Sequence, residues 1–412
     1  MTGHAFRWRE ACPFFSDMKH TSLAARYRPQ SFAEVVGQDM IKDVLSRASA
    51  EDRVASGYLF CGTRGVGKTT IARIFAKALN CAHAPAAEPC NECEQCRKIT
   101  AGIHPDVVEI DGASNNSVDD ARALREKIGY SPMEGRYKIF IIDEAHMLSK
   151  SAFNALLKTL EEPPSHVVFI FATTEVHRFP ATILSRCQVF SFHHLTEALL
   201  AGHLADVLKK EQIPFEDEAV RLIARRAAGS VRDSMSLLDQ TLAYGSENLT
   251  AGLVRDVLGL AGQDALKELF AALAAQDCAK TALFCRTLAG REVDLGFFVR
   301  ELADTLRSLF LLRQCGKDSL TQLGATENEI AFYESVAPSF TAGYLHAAWQ
   351  MVLEAQRSIT TSQEPAASLE LLLVNLAFLQ QLLPAALAGV RAPSAETQKE
   401  TPPHPTRAPA GN

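Results

Sequence analysis

The stretch from Gly57 to Thr70, Gly-Tyr-Leu-Phe-Cys-Gly-Thr-Arg-Gly-Val-Gly-Lys-Thr-Thr, leaves this chain few folds to choose from. Gly62, Gly67, Lys68 and Thr69 satisfy the spacing G-x-x-x-x-G-K-[ST]. In that loop, backbone N–H groups wrap phosphates, the lysine neutralises the β and γ oxygens, and the hydroxyl holds Mg²⁺. Gly62, Thr63, Arg64, Gly65, Val66, Gly67, Lys68, Thr69 and Thr70 are therefore the candidate phosphate contacts. The flanks fit the motif. Tyr58 to Cys61 is a short apolar run suited to a buried strand, and Ile71, Ile74, Phe75, Ala78 and Leu79 recur on one helical face. A strand, a glycine loop and a helix in this order aim the helix's positive end at a nucleoside triphosphate.

A second strand of the same kind follows. Ile139 to Ile142 is continuously apolar and ends in Asp143-Glu144-Ala145-His146, the pattern of a buried parallel strand with carboxylates at its C-terminal edge. In P-loop enzymes an acid there orders Mg²⁺, which makes Asp143 the candidate metal partner and Glu144 the candidate for polarising an attacking water. Between the two motifs, Val107 to Asp111 reads as a strand, and Ser114 to Ser117 supplies capping residues for a helix to about Ile128. Phe153, Leu156, Leu157 and Leu160 mark a helix stopped by Pro163-Pro164. Val167 to Ala172 is another buried strand, delivering Thr173 and Thr174 to the same sheet edge. Ser185-Arg186-Cys187 places an arginine on a short connection.

Four of the ten cysteines, Cys81, Cys90, Cys93 and Cys96, cluster with C-x8-C-x2-C-x2-C spacing. Two short C-x2-C steps put thiolates on one side of a turn and a fourth closes a tetrahedron, as in structural Zn²⁺ sites. Disulfides are the competing reading, and a cytoplasmic nucleotide-binding chain disfavours them. Four protein ligands leave no position for a catalytic water. The remaining cysteines have no comparable spacing and read as ordinary thiols.

A net charge of −6 argues against a chain that coats nucleic acid by bulk charge, so DNA contact would have to be local or through partners. Residues 1–17 lack the continuous apolar core of a secretory signal, and the apolar run from Leu369 to Leu383 is broken by Glu370, Asn375, Gln380 and Gln381. No membrane span and a cytoplasmic location are expected. Met18 stands just before organised sequence begins, so residues 1–18 are expected to be a disordered extension or a misassigned start. Ala24 to Gln38, containing Arg28, Phe32, Val35 and Val36, could be a surface loop or a wall against a base.

Taken together these motifs resemble the AAA+ subunits of sliding-clamp loaders and, within them, the gamma/tau subunits of bacterial DNA polymerase III. The resemblance rests on Arg26 to Gln38, Gly62 to Thr70, the four-cysteine loop, Asp143 to Ser149, Asn154 to Pro164 and Ser185-Arg186-Cys187. It covers about residues 19 to 385 and is strongest before 245. It implies Lys68 and Thr69 on phosphate and Mg²⁺, Asp143 and Glu144 for metal and water activation, Thr174 as sensor 1, and Arg186 as the arginine finger. That finger would act on ATP held by a neighbouring subunit. The Arg28 to Gln38 stretch, with Val36, would line the adenine pocket.

Past Leu195 the pattern becomes helical. Gly229 to Asp233 opens a helix that resembles the family's lid, with Arg232 at its sensor 2 position. A cation at a helix start opposes the dipole, so a partner is expected there. Helical periodicity continues through Leu266 to Leu273, Phe297 to Leu312, Tyr344 to Ile359 and Leu369 to Leu383, with no chemical motif; the family's third domain is a collar that joins subunits into a ring. The expected organisation is an α/β AAA+ P-loop NTPase domain over 19–195, a helical lid over 196–260, a helical collar over 261–388 and a disordered tail over 389–412. The chain stops short of the domains of long tau forms and so resembles the gamma form. The implied function is ATP-driven loading of the sliding clamp onto primed DNA, with ATP, Mg²⁺ and structural Zn²⁺, alongside delta, delta-prime and further gamma/tau subunits at the nucleoid-associated replisome. Two rivals are a non-hydrolysing loader partner, disfavoured by the intact Lys68, Thr69, Asp143 and Glu144, and another AAA+ DNA motor, disfavoured by the cysteine loop and Ser-Arg-Cys. No polymerase site is evident.

Overall fold

The structure is a computed structural model that describes residues 22–114, 126, 128–245, 248–291 and 293–382. The expected N-terminal extension, most of the helix expected between Ser117 and Ile128, and the expected tail lie outside the described residues. The chain divides into two compact units, one to Val257 and the other from Leu258.

In the first unit, five parallel strands form one sheet: β1 (Gly57–Cys61), β2 (Val107–Asp111), β3 (Lys138–Asp143), β4 (Val167–Thr173) and β5 (Gln188–Ser191), in the order β2-β3-β4-β1-β5. Parallel strands need crossovers over the sheet faces, and covered faces favour continuous apolar strands. β1, β4 and all of β3 but its last residue are accordingly buried. Alternate residues divide between two cores. Tyr58, Phe60, Ile139, Ile141, Val168 and Ile170 pack with Ile41 and Leu45 of helix Asp39–Ala50 and with Ile71 and Phe75 of helix Lys68–Asn80. Leu59, Phe140, Ile142, Phe169 and Phe171 pack on the other face with Phe153, Leu156 and Leu160 of helix Lys150–Glu161. A period of two along each strand thus feeds two helical layers.

Register then decides what meets at the sheet edge. Cys61 pairs with Thr173 and with Ser191, and Asp111 pairs with Asp143, so the C-terminal ends of all five strands finish near one another. β1, which feeds the glycine loop, lies between β4 and β5, where strand order reverses; open α/β sheets hold their ligands at such a crevice.

Helices Glu197–Lys210, Asp217–Arg226, Val231–Leu242 and, up to its last residue, Ala251–Leu258 complete the first unit. Thr196 caps the first, accepting from the Leu199 N–H at 3.3 Å, and Ser230 caps the third, accepting from the Asp233 N–H at 3.2 Å. The second unit is helical throughout its described part. Gly262–Ala274, Leu295–Cys315, Ala342–Thr361 and Pro365–Leu382 enclose a core that includes Leu269, Phe270, Phe298, Leu302, Tyr344, Val352 and Leu373. Two helices of ten residues or more, Cys278–Gly290 and Glu327–Val336, carry no readable sequence stripe. The first of them buries Thr281 and Cys285 while leaving Leu283 65% exposed, which blurs the apolar period. No helix among the described residues is long and apolar enough to cross a membrane.

One buried carboxylate holds the approach to β3. Asp106, wholly buried, accepts from the N–H groups of Met133, Glu134 and Gly135 at 2.7 to 3.0 Å. Burial alone would raise its pKa, but these three donors outweigh it and hold the group below the usual carboxylate value. A depressed native pKa means the stabilisation is present above about pH 4 and is lost as pH falls through the native value. Asp106→Ala is expected to cost about 1–3 kcal/mol at pH 7 in urea unfolding, with the gap to the parent narrowing below about pH 4. A gap independent of pH would show that the carboxylate charge contributes nothing.

Candidate nucleotide site and cysteine cluster

The loop between β1 and helix Lys68–Asn80 depends on glycine at two positions. A Cβ on Gly62 (φ +147°) would lie 2.5 Å from the Phe192 carbonyl oxygen. One on Gly65 (φ +80°) would lie 2.0 Å from Ser230 Oγ. Gly65 also accepts, through its carbonyl, from the N–H groups of Val231 at 3.1 Å and Arg232 at 3.3 Å. The first turn of helix Val231–Leu242 is thereby seated on the loop.

Lys68 is 6% exposed and its ammonium donates to the carbonyls of Gly62 at 2.8 Å and Thr63 at 2.7 Å. Burial lowers its pKa, opposed by the nearby Glu144 and Asp143 carboxylates. The Thr69 hydroxyl donates to Asp143 Oδ2 at 2.8 Å, joining the first turn of the helix to the end of β3. Glu144 follows with φ +43°, a left-handed conformation that costs a non-glycine residue energy and turns its side chain toward the strand ends. Its Oε2 accepts from the Thr174 hydroxyl at 3.1 Å and lies 3.4 Å from His146 Nδ1. His146 is itself fixed by Thr173 Oγ1 at 3.1 Å and by Glu175 Oε1, 3.4 Å from its Nε2.

These groups border one cavity of about 630 Å³. Arg28, Val36, Arg64, Gly65, Val66, Gly67, Lys68, Thr69, Thr70, Asp143, Glu144 and Arg232 line it. Gly62 and Thr63 sit behind Lys68, and Thr174 reaches the wall through Glu144. Arg186 is not on the wall: its guanidinium donates to Glu161 Oε1 at 2.9 Å and to the Thr182 carbonyl at 2.7 Å.

Several wall residues escaped sequence reasoning, among them Tyr27, Arg73, Lys77 and His203. Thr69, Arg73 and Lys77 are spaced i, i+4, i+8, so a face reading of that helix had the signal to find two of them. His203 carried no signal; it reaches the wall only because of how its helix packs. Arg28 donates to Thr70 Oγ1 at 3.2 Å. Burial lowers the Arg28 pKa, with Arg73 and Arg232 adding like-charge pressure. A cavity that gathers Arg28, Lys68, Arg73 and Arg232 in a chain of net charge −6 is built for an anion. The helix start at Gly67 has no side-chain cap, which leaves its N–H groups free for the same ligand. The residues fit a nucleoside triphosphate with a divalent cation at Thr69 and Asp143.

The Sγ atoms of Cys81, Cys90, Cys93 and Cys96 all lie within 4.8 Å of one another. Cys81 and Cys93 are 4.0 Å apart at sulfur, as are Cys90 and Cys96. A tetrahedron with 2.3 Å metal–sulfur bonds has edges of about 3.8 Å, whereas a disulfide needs about 2.05 Å. Backbone N–H groups point at the sulfurs: Cys93 N–H at Cys90 Sγ, 3.3 Å, and Cys96 N–H at Cys93 Sγ, 3.4 Å. The first of these brings the Cys90 thiol down to about 6, the direction that favours a thiolate ligand, while burial pushes Cys96 up. The donor set fits Zn²⁺.

Three family models match the chain in succession. They are DNA polymerase III, delta subunit, over residues 37–196; DNA polymerase III clamp loader subunit, ATPase lid domain, over 200–247; and DNA polymerase III subunits gamma and tau domain III, over 249–390. The DNA polymerase III subunit tau/gamma of Haemophilus influenzae is 50% identical over 59% of this chain and 35% of its own length. The DNA polymerase III subunit gamma of Buchnera aphidicola subsp. Baizongia pistaciae is 32% identical over 87% of this chain and 97% of its own. That of Buchnera aphidicola subsp. Acyrthosiphon pisum is 41% identical over 67% and 77%. Among solved structures, the Thermotoga maritima RuvB Holliday junction branch migration motor is similar with a TM-score of 0.44 and 21% identity, over 60% of this chain and 79% of that one. The chain spans less than half the length of the tau or tau/gamma relatives from Haemophilus influenzae, Bacillus subtilis and Escherichia coli. With a parallel sheet carrying the glycine loop, a lid and a helical third domain matched in order, and the two gamma relatives aligned over most of their length, this chain belongs to the DNA polymerase III gamma/tau subunit family.

Proposed function

We propose that this chain is an ATP-binding and ATP-hydrolysing clamp-loader subunit, acting in the cytoplasm with delta, delta-prime and further gamma/tau copies to place a sliding clamp on primed DNA. The observation that carries the reading is the meeting of Lys68, the Thr69–Asp143 pair and the Thr174-held Glu144 at one cavity wall. Residues 19–195 would form the nucleotide-binding domain, 196–260 the lid and 261–388 the collar. The family membership supports this division, as do the cavity residues contributed from both sides of Leu195.

Bound ATP and Mg²⁺ supply the phosphoanhydride and a divalent charge on its oxygens. Lys68 exchanges its two carbonyl acceptors for phosphate oxygens, with little reorganisation because the ammonium is already buried and aimed. Thr69 and Asp143 are the residues that would hold the cation. Glu144 orients and polarises a water once it leaves Thr174, whose hydroxyl restrains it. Arg232 lines the cavity from the lid helix, where a phosphate would supply the partner that a cation at a helix start needs. Arg28 and Val36 take the nucleoside side of the wall. Arg186, turned away from its own cavity, is the group offered to a neighbour's nucleotide. The Cys81, Cys90, Cys93 and Cys96 cluster is read as a closed, structural Zn²⁺ site.

Hydrolysis should therefore be low for the chain alone and rise strongly only with the other loader subunits, clamp and primed DNA. High activity alone, or stimulation by DNA without clamp, would point to an independent motor. Lys68→Ala is expected to abolish ATP binding or hydrolysis, measured by calorimetry and phosphate release. Arg186→Ala should keep the ATP affinity of the parent while lowering hydrolysis in the assembly by about 10³-fold; full activity there would overturn the finger role. Elemental analysis should find about one zinc per chain, and a metal-free, well-folded chain would remove that site.

A further inference from the structure

The cysteine loop and the nucleotide cavity share a wall. Lys77, on the helix that starts at Lys68, is 1% exposed, and among the described residues its ammonium bonds amide oxygens rather than a carboxylate. Its ammonium has three donors. They go to the Gln30 carbonyl at 2.8 Å, to Gln30 Oε1 at 2.8 Å and to Asn91 Oδ1 at 2.7 Å. Asn91 lies between Cys90 and Cys93 with φ +60°, so one buried lysine ties the Arg28–Gln30 turn to the middle of the cysteine cluster.

A second tie is independent of the first. Glu88, two residues before Cys90, accepts from the Phe32 N–H at 2.8 Å through Oε2 and from the Ala33 N–H at 3.0 Å through Oε1. A third comes from helix Glu94–Ala101, which starts at Cys93: Thr100 donates to Gln30 Oε1 at 3.3 Å. Ile99 and Thr100 of that helix line the cavity together with Arg28, Gln30, Val35 and Val36. The segment from Arg28 to Val36 has little regular structure of its own; burial of Phe32 and Val35 in the sheet core and these hydrogen bonds from the cysteine loop together hold its shape.

We propose that the cysteine loop is a brace for the nucleotide cavity, with Lys77 and Glu88 as positioning residues that hold the Arg28–Val36 wall, so that metal occupancy of the loop and nucleotide affinity are positively coupled. The proposal rests on the nucleotide and zinc readings above. Coupling between two sites is reciprocal: if metal favours nucleotide, nucleotide must retain metal by the same factor.

The test uses the full chain, loaded with zinc, and the variants Glu88→Ala and Lys77→Met. A non-hydrolysable ATP analogue should bind each variant about tenfold more weakly than the parent. The analogue should slow release of zinc from the parent to a chelating dye, and slow it much less in Glu88→Ala. Should Lys77→Met fail to fold, Glu88→Ala carries the same test. Equal analogue affinity in parent and folded, zinc-loaded variants, or zinc release from the parent unaffected by analogue, would each overturn the brace alone. A parent that bound no analogue would overturn the nucleotide reading and this proposal with it, and a folded parent without zinc would do the same to the zinc reading.

Discussion

Thr69 and Asp143 are far apart in sequence and their side chains meet at 2.8 Å. That hydrogen bond exists because β1 and β3 both pair with β4 and run in the same direction, so the loop leaving one and the carboxylate ending the other emerge on one sheet edge. Nearly everything else at the site hangs from this arrangement. Lys68 is buried beside Thr69 in the same turn, Glu144 is turned toward the strand ends by its left-handed backbone just after β3, and Thr173 ends β4 between β1 and β3 with Thr174 next to it.

Charge is the site's main internal conflict. Arg28, Lys68, Arg73 and Arg232 converge, and only Arg73 has a bidentate carboxylate partner, Glu109, at 2.6 and 2.8 Å. Burial depresses the Arg28 and Lys68 pKa values; at Arg28 the Arg73 and Arg232 charges add to it while Glu109 and Asp143 oppose it, and at Lys68 Glu144 and Asp143 oppose it. A polyanion relieves that repulsion, and a divalent cation relieves the opposite crowding at Asp143. The same protein therefore has reason to bind the two together.

The second unit stands on a simpler principle. Its described helices bury Leu, Phe and Val side chains in one cluster, and a buried polar tip within it, the Tyr344 hydroxyl, donates to the Leu376 carbonyl at 2.9 Å. No group of three or more His, Cys, Asp or Glu side chains placed to hold a metal gathers there among the described residues.

The phosphate loop, the apolar strands, the acidic strand end and the cysteine spacing were legible in the sequence because each is a local pattern: a few residues at fixed separations, with backbone geometry supplying the rest. The stripe Thr69, Arg73, Lys77 was legible in principle, although Lys77 looks like any solvated lysine until burial shows otherwise. Helix Cys278–Gly290 was hidden because its buried face mixes threonine and cysteine with apolar residues. What no local pattern carries is contact between distant segments: His203 on the cavity wall, Gly65 seating the helix from Val231, and Glu88 holding the N–H groups of Phe32 and Ala33. Such contacts depend on strand order and on how helices pack, which set side chains side by side without leaving a period in the chain. The sequence by itself determined the chemistry available to this protein, and the tertiary structure alone decided which of those groups share a wall.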